Sequence, residues 1–339
     1  MSEALRAFAS PLVQAALPLP FTGPRFVLRA EIHPGLGAVD GLACEQSFKP
    51  EHDRLAAAGY RTEPALDGRW PQGLVLLTRH KAENLANIAR AWTMLEPGGW
   101  LLCAGGNEVG AASIERQLRA IAGTVGGTAK HHCRIFWCRA GGELPEPCRA
   151  WLEAGEMRRA PKTGFLARPG IFGWDAIDEG SALLAEHFTD RIAGKVADLG
   201  AGWGYLSAKL IERCPGIASL DLYEAEKLAL DAARANITAL SPSQKVGYHW
   251  HDVTAGVPGG LSGGYDWIVM NPPFHHGNAA DPALGRAFIR SAAKALVIGG
   301  KLLMVANRNL PYEAELQEHF RHRHMPVETA AFKLFEARR

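Results

Sequence analysis

The residues best equipped for chemistry stand in one run: Asn271, Pro272, Pro273, Phe274 and His275. They follow Trp267-Ile268-Val269-Met270, an apolar stretch that reads as a buried strand. At a strand end, the Asn271 side-chain oxygen and the Pro272 carbonyl can each accept one N–H. Phe274 can stack on a flat ring, worth roughly 1–3 kcal/mol when the ring is a base. The prolines stiffen the loop and hold Asn271 extended. Such a set grips a planar group bearing an NH2, a nucleobase above all. The nitrogen of an aromatic amine is a weak nucleophile because its lone pair spreads into the ring. Two acceptors on its hydrogens favour a pyramidal nitrogen with the lone pair aimed at an electrophile. Catalysis would then be mainly positioning for in-line transfer. His275 can touch the base or take the departing proton, and it reads also as an exposed loop histidine. The bland alternative for the run is a rigid turn with a core Phe.

A second run supplies a partner for that amine. Asp198-Leu199-Gly200-Ala201-Gly202-Trp203-Gly204 follows a strand and opens a helix, so its glycines let the backbone approach a ligand. The spacing is acid-x-G-x-G-x-G, not the dinucleotide G-x-G-x-x-G. This pattern serves S-adenosylmethionine, whose cationic amine and sulfonium suit a carboxylate. Glu224 ends the next strand, where an acid can take both ribose hydroxyls; a helix N-terminal acid is the plain reading. Asp252 ends the third strand, placed for an adenine amino group or simply as a cap.

These residues need a scaffold of alternating elements. Strands are expected at 196–199, 218–223, 246–251, 265–270 and 301–306. Helices are expected at 205–213, 225–237, 282–296 and 313–320. Alternation at this spacing predicts a mostly parallel sheet with helices on both faces. Strands at 327–331 and 332–337, with no helix between them, predict a closing antiparallel hairpin.

The first half repeats the pattern faintly. A strand at 73–78, a helix at 83–95, the turn Pro97-Gly98-Gly99 and a strand at 100–107 parallel Trp267–Asn271, Phe288–Leu296, Gly299-Gly300 and Lys301–Asn307. Thr78-Arg79-His80-Lys81 stands where the second copy has Asn271-Pro272-Pro273-Phe274. A duplicated fold follows, in which only the second copy keeps its chemistry. The Pro-, Gly- and charge-rich stretch 141–169, with a short helix at 148–158, reads as the linker, with the boundary near residue 155.

Composition sets the frame. A chain of 339 residues favours two domains, and 47% hydrophobic with 21% charged residues fits a globular protein. No apolar run reaches the roughly 18 residues of a membrane span. The first twenty residues, with Glu3 and three prolines, read as a structural segment and not a signal peptide. A net charge of +2 means that any nucleic acid must be met by a local patch. Six cysteines without a disulfide framework point to the reducing cytoplasm. His131, His132, Cys133, Cys138 and Cys148 lack a paired C-x2-C knuckle and read as structural, so no metal is expected.

Taken together, Pro169-Gly170-Ile171-Phe172-Gly173, Asp178-Glu179-Gly180-Ser181, Asp198 to Gly204, Asn271 to His275, and Ala306-Asn307 with Leu310-Pro311-Tyr312 resemble a known family. It comprises the class I methyltransferases that make N2-methylguanine in ribosomal RNA, the small-subunit methyltransferase C type above all. The match runs from about residue 160 onward, and Gly105 to Leu118 is similar to that family's decayed N-terminal domain. The resemblance implies two tandem Rossmann-like α/β domains, 1–155 degenerate and serving RNA recognition, 156–339 catalytic. Each would carry a mostly parallel seven-stranded sheet ending in an antiparallel hairpin. It implies S-adenosylmethionine lined by Phe172, Asp198, Gly200, Gly202, Glu224, Asp252 and Asn271. Asn271, Pro272 and Phe274 would hold a guanine, with Pro273 and His275 beside it. Trp203 departs from the small residues usual in that loop and would narrow the site.

Basic runs at Arg158-Arg159 with Lys162, at Lys130 to Arg134 with Arg139, and at Arg321 to His324 could neutralise phosphates, or form solvated faces. The first lies just before the Phe172 segment and is preferred. The expected partner is ribosomal RNA or the small ribosomal subunit, and a base within it would be flipped into the pocket. Two other readings stay open. One is a protein glutamine-amide methyltransferase, although those usually carry Tyr where Phe274 stands. The other is a non-catalytic RNA-binding or ribosome assembly factor.

Overall fold

The structure is a computed structural model that describes residues 3–258, 264–273, 275–276 and 279–339. For 275–276 and 279–280 only the backbone is described. The chain forms two compact units, one of residues 1–157 with 168–170, the other of 158–167 with 171–339.

The first unit is built on β1 (Arg25–Leu28), β2 (Leu42–Glu45), β3 (Arg61–Glu63), β4 (Trp70–Leu76), β5 (Leu95–Gly106), β6 (Gly126–Lys130) and β7 (Cys133–Ala140), in the sheet order β3-β2-β1-β4-β5-β7-β6. The second unit opens with a small hairpin, β8 (Arg158–Arg159) and β9 (Leu166–Ala167). Its main sheet comprises β10 (Gly194–Leu199), β11 (Ile217–Glu224), β12 (Lys245–Trp250), β13 (Tyr265–Met270), β16 (Leu296–Asn307), β17 (His322–Glu328) and β18 (Phe332–Arg338). Between β13 and β16 lies a two-stranded piece, β14 (His275–His276) with β15 (Ala279–Ala280). The order is β12-β11-β10-β13-β16-β18-β17, the same permutation as in the first unit. In each sheet only the pairings of the penultimate-placed strand, β7 or β18, are antiparallel.

Central strands read as unbroken apolar runs because helices cover both faces. Val196 to Leu199 and Trp267 to Met270 are all buried. Alternate side chains feed opposite layers: Ala197, Leu199, Ile268 and Met270 enter one core cluster, Val196, Trp267 and Val269 the other. The first unit does the same with Phe26 and Leu28 against Val27. Cys133 and Cys138, five apart on β7, also enter opposite clusters and so face away from each other.

Two expectations shift. The Pro-Gly-Gly and Gly-Gly segments are not turns before a strand but breaks inside one, since β5 and β16 begin at Leu95 and Leu296. Pairing jumps at the same place in both sheets, between Trp70 and Gln72 and between Tyr265 and Trp267. The closing hairpin begins at His322, five residues earlier than expected. It is an exposed edge strand with Pro326 at a register shift, so it carries no apolar alternation to read.

Register also corrects the correspondence between the copies. Leu28 pairs with Val75, and Leu199 with Met270. Superposing these pairs places Leu76, not Thr78, at the position of Asn271, and Arg29 at that of Gly200. Arg29 keeps a left-handed backbone, φ 57° against 75° for Gly200. Its Nε donates to Glu83 Oε1 at 2.6 Å and its Nη1 to Ser47 Oγ at 2.7 Å, while Thr78 Oγ1 donates to Glu83 Oε2 at 2.7 Å. A buried ion pair therefore fills the strand ends of the first unit.

Candidate active site

In an open α/β sheet, ligands bind beyond the carboxyl ends of the strands where the strand order reverses. That point lies between β10 and β13, and both chemical runs hang from it. The glycine loop follows β10 and Asn271 follows β13. Gly200, Gly202 and Gly204 all have left-handed backbones, φ 75°, 55° and 90°, which other residues adopt with strain. Gly200 N and Ala201 N both donate to Tyr223 O, at 2.8 and 3.0 Å. A Cβ on Gly204 would meet Ala233 at 3.2 Å, whereas one on Gly202 would meet nothing within 4 Å. Gly204 thus packs the loop down, and Gly202 faces open space.

Glu224, at the end of β11, ties into this loop. Its Oε2 accepts from Gly202 N and its Oε1 from Glu226 N, both at 2.8 Å. Burial raises its carboxyl above the usual range, against the pull of those amide bonds. Gln46 in the first unit, one residue past β2 and at the same register, makes the matching bond to Phe48 N at 2.9 Å. There the acid has become an amide.

Asp198 does not line the cleft. It is 0% exposed beneath the loop, where Oδ2 accepts from Ser207 Oγ at 2.7 Å. Its Oδ1 is buried with no hydrogen-bond partner among the described residues. Burial lifts its carboxyl from 3.8 to about 7; the Ser207 bond opposes this and the charge of Glu224 adds to it. Asp252 serves as a cap, its Oδ1 accepting from Thr254 N and Thr254 Oγ1 at 2.9 and 2.7 Å.

A cleft opens over the loop, lined by Phe172, Gly173, Asp178, Ser181, Gly200, Gly202 and Trp203 among others, and by Asn271. Phe172 is 70% exposed, an unusual state for a large apolar side chain. Trp203, expected to narrow the site, lines the cleft and packs on Phe165 and Tyr205, with ring centroids 4.9 and 5.8 Å away. Its Nε1 donates to Gly173 O at 3.0 Å and so anchors the Phe172 segment. Asn236 fastens the loop from below: its Nδ2 donates to Trp203 O and Leu166 O, and its Oδ1 accepts from Leu166 N. Sequence reasoning missed Asn236 because one buried Asn within a helical pattern carries no signal of its own.

Asn271 is held by its nitrogen. Nδ2 donates to Asp178 Oδ2 at 2.7 Å and to Ser181 Oγ at 2.8 Å. Pro272 is buried and Pro273 exposed. Phe274 lies outside the described residues, and the side chain of His275 does too. Arg158, Arg159 and Lys162 are exposed on and beside the β8–β9 hairpin. Arg158 lies 5.9 Å from the Trp174 ring centre, and Arg159 donates to Gly164 O. Arg321 to His324 are exposed around the start of β17. The patch near Lys130 is partly committed: Arg134 Nε donates to Glu115 at 2.6 Å, and Arg139 stacks 4.1 Å above Trp100.

A glycine-lined cleft at the switch point, an acid closing β11 and an Asn-Pro-Pro turn closing β13 together define a class I methyltransferase. Residues 162–336 match the methyltransferase small domain family. The ribosomal RNA small subunit methyltransferase C of Sodalis glossinidius is 30% identical over 280 residues, 82% of this chain and 77% of that protein. That of Yersinia enterocolitica is 29% identical over 268 residues, 79% and 72% of the two chains. The chain belongs to the methyltransferase small domain family and, within it, to the ribosomal RNA small subunit methyltransferase C proteins. Its fold is similar to that of the T. thermophilus 16S rRNA N2 G1207 methyltransferase solved with AdoMet and guanosine, with a TM-score of 0.80 at 24% identity over 99% of this chain and 93% of that one.

The residues present fit S-adenosylmethionine. Gly202 leaves room for close approach, and beneath the loop Asp198 Oδ1 is a buried oxygen with no hydrogen-bond partner among the described residues, an acceptor whose charged form a nearby cation would favour.

Proposed function

We propose that this protein transfers a methyl group from S-adenosylmethionine to the exocyclic N2 amine of a guanine in small-subunit ribosomal RNA. The observation that carries this is the orientation of Asn271: its NH2 is engaged by Asp178 and Ser181, which turns Oδ1 toward an incoming donor. When bound, S-adenosylmethionine supplies a methyl group activated on a sulfonium. Asn271 Oδ1 and the Pro272 carbonyl accept the two N2 hydrogens, so the nitrogen lone pair points out of the guanine plane. The N–C bond forms as the C–S bond breaks, and the surplus N2 proton leaves to solvent or to His275. Phe274 stacks on the base. Phe172 covers the cofactor, and Glu224 and Asp252 take its ribose and adenine.

The division of labour follows. Residues 156–339 catalyse. Residues 1–155, whose strand ends are filled by Arg29 and Glu83, recognise RNA. Arg158, Arg159 and Lys162 neutralise phosphates next to the flipped base. The substrate places the protein in the cytoplasm, and among the described residues no helix is long and apolar enough to cross a membrane.

The test is nucleoside mass spectrometry of rRNA fragments from a deletion strain. One N2-methylguanine should vanish from small-subunit rRNA and return with the wild-type gene but not with Asn271→Ala. Tritiated methyl incorporation into protein and not RNA would establish the glutamine-amide reading instead.

A further inference from the structure

We infer that Asp178 and Ser181 are positioning residues that lock the Asn271 amide with its oxygen facing the target amine. The inference rests on the amine-methylation reading for its purpose, but its geometry stands apart from it. A carboxamide is nearly symmetric in shape and opposite in chemistry at its two ends. Turned one way, Asn271 offers an acceptor to an N–H; turned the other, it offers donors and repels one. Nothing in Asn-Pro-Pro-Phe itself selects the first state, because the prolines fix the backbone and leave the side-chain amide free to turn.

The selection comes from ninety residues earlier in the chain. Asp178 Oδ2 accepts from Asn271 Nδ2 at 2.7 Å, and Ser181 Oγ lies 2.8 Å from the same nitrogen. A carboxylate only accepts, so the amide must turn its NH2 toward Asp178. Asp178 is itself fixed as the N-cap of the helix Glu179–Glu186, with the same Oδ2 accepting from Ser181 N at 2.8 Å. One oxygen therefore caps the helix and orients the amide, and the capped turn presents Ser181 Oγ as the second acceptor. Both Nδ2 hydrogens are then used, and Oδ1 is the polar atom left for a ligand. This gives Asp178-x-x-Ser181 a role that its sequence alone does not disclose: it sets the polarity of the site, favouring an amine over a carbonyl.

The experiment measures kcat and KM on rRNA, the dissociation constant of S-adenosylmethionine by calorimetry, and the Asn271 side-chain amide resonance by NMR, assigned by its loss in Asn271→Ala. Ser181→Ala keeps the helix cap, since the cap uses the backbone N–H. It should lower kcat about tenfold with cofactor affinity and Tm unchanged, and Asp178→Ala with Ser181→Ala should lower kcat about 10²-fold. Asp178→Asn should restore most of the kcat that Asp178→Ala loses, because a single oxygen makes both bonds. In the wild type both Nδ2 protons should be shifted and slow to exchange, and in the double variant they should not. Unchanged kcat in the double variant, or cofactor affinity falling in step with kcat, overturns the inference. A wild-type Asn271 amide exchanging as fast as an exposed one overturns it too, whatever the substrate proves to be. A wild-type enzyme with a locked amide but no methyl transfer to rRNA removes the substrate reading and leaves the lock standing.

Discussion

Arg29 and Gly200 occupy one place in two copies of the same sheet, each following the central strand in a left-handed backbone. In one copy the position carries no side chain, and a Cβ there would already touch Phe288 at 3.4 Å; in the other the side chain reaches Glu83, which is 3% exposed. Removing one partner of a buried ion pair strands the other and typically costs about 3–5 kcal/mol. Glu83→Ala should lower stability in urea unfolding by that order. Cofactor affinity of the folded protein should not change, because the pair belongs to the filled copy. A drop in affinity measured well below the unfolding transition would refute this.

Gly202 and Gly204 separate two reasons for glycine. Both carry positive φ, so alanine at either adds strain of about 1–2 kcal/mol. At Gly204 the new Cβ also presses on Ala233 at 3.2 Å, so Gly204→Ala should lower Tm more. At Gly202 it enters open space over the cleft. Gly202→Ala should therefore weaken S-adenosylmethionine binding out of proportion to its effect on Tm, by calorimetry against thermal melting. The reverse ranking would show that the cleft is not the cofactor's.

Asp198 makes the apo protein sensitive to pH. Its carboxyl titrates at about 7 when folded, against 3.8 for the ordinary side chain. Between those values the folded state holds a proton that the unfolded state has released, so this contribution to stability is lost as pH rises toward 7. Asp198→Asn should raise Tm at pH 8 and change it little at pH 5. Equal shifts at both pH values would show that the carboxylate is not desolvated.

Asn271→Ala should abolish methyl transfer while S-adenosylmethionine still binds, because the glycine loop and Glu224 are made by other strands. Turnover comparable to wild type would sink the proposed positioning of the amine.

Much of this was legible in the sequence, for identifiable reasons. Tyr205–Arg213 and Tyr265–Met270 have the expected bounds because each is framed by its own stop signals, Gly204 and the Asn-Pro turn. The His322–Pro326 stretch of the closing hairpin was not legible as strand, because an edge strand facing water has no buried face to impose alternation. Asp178 and Ser181 showed only as part of a familiar pattern, since their partner is Asn271, some ninety positions away. Asp198 was expected to line the cofactor site and is buried beneath the glycine loop, because sequence gives the strand end but not which way its side chain turns.

The strand order has a consequence for how the protein is made. All seven strands of the first sheet lie within residues 25–140, so that sheet can complete its pairing while over half of the chain is still unsynthesised. In the second sheet the last strand in sequence, Phe332–Arg338, is wedged between Leu296–Asn307 and His322–Glu328. At about 5–20 residues per second, the first sheet precedes the second by roughly 10–40 seconds. A nascent chain would thus carry a finished first sheet on the ribosome before the sheet that holds the glycine loop and Asn271 could close.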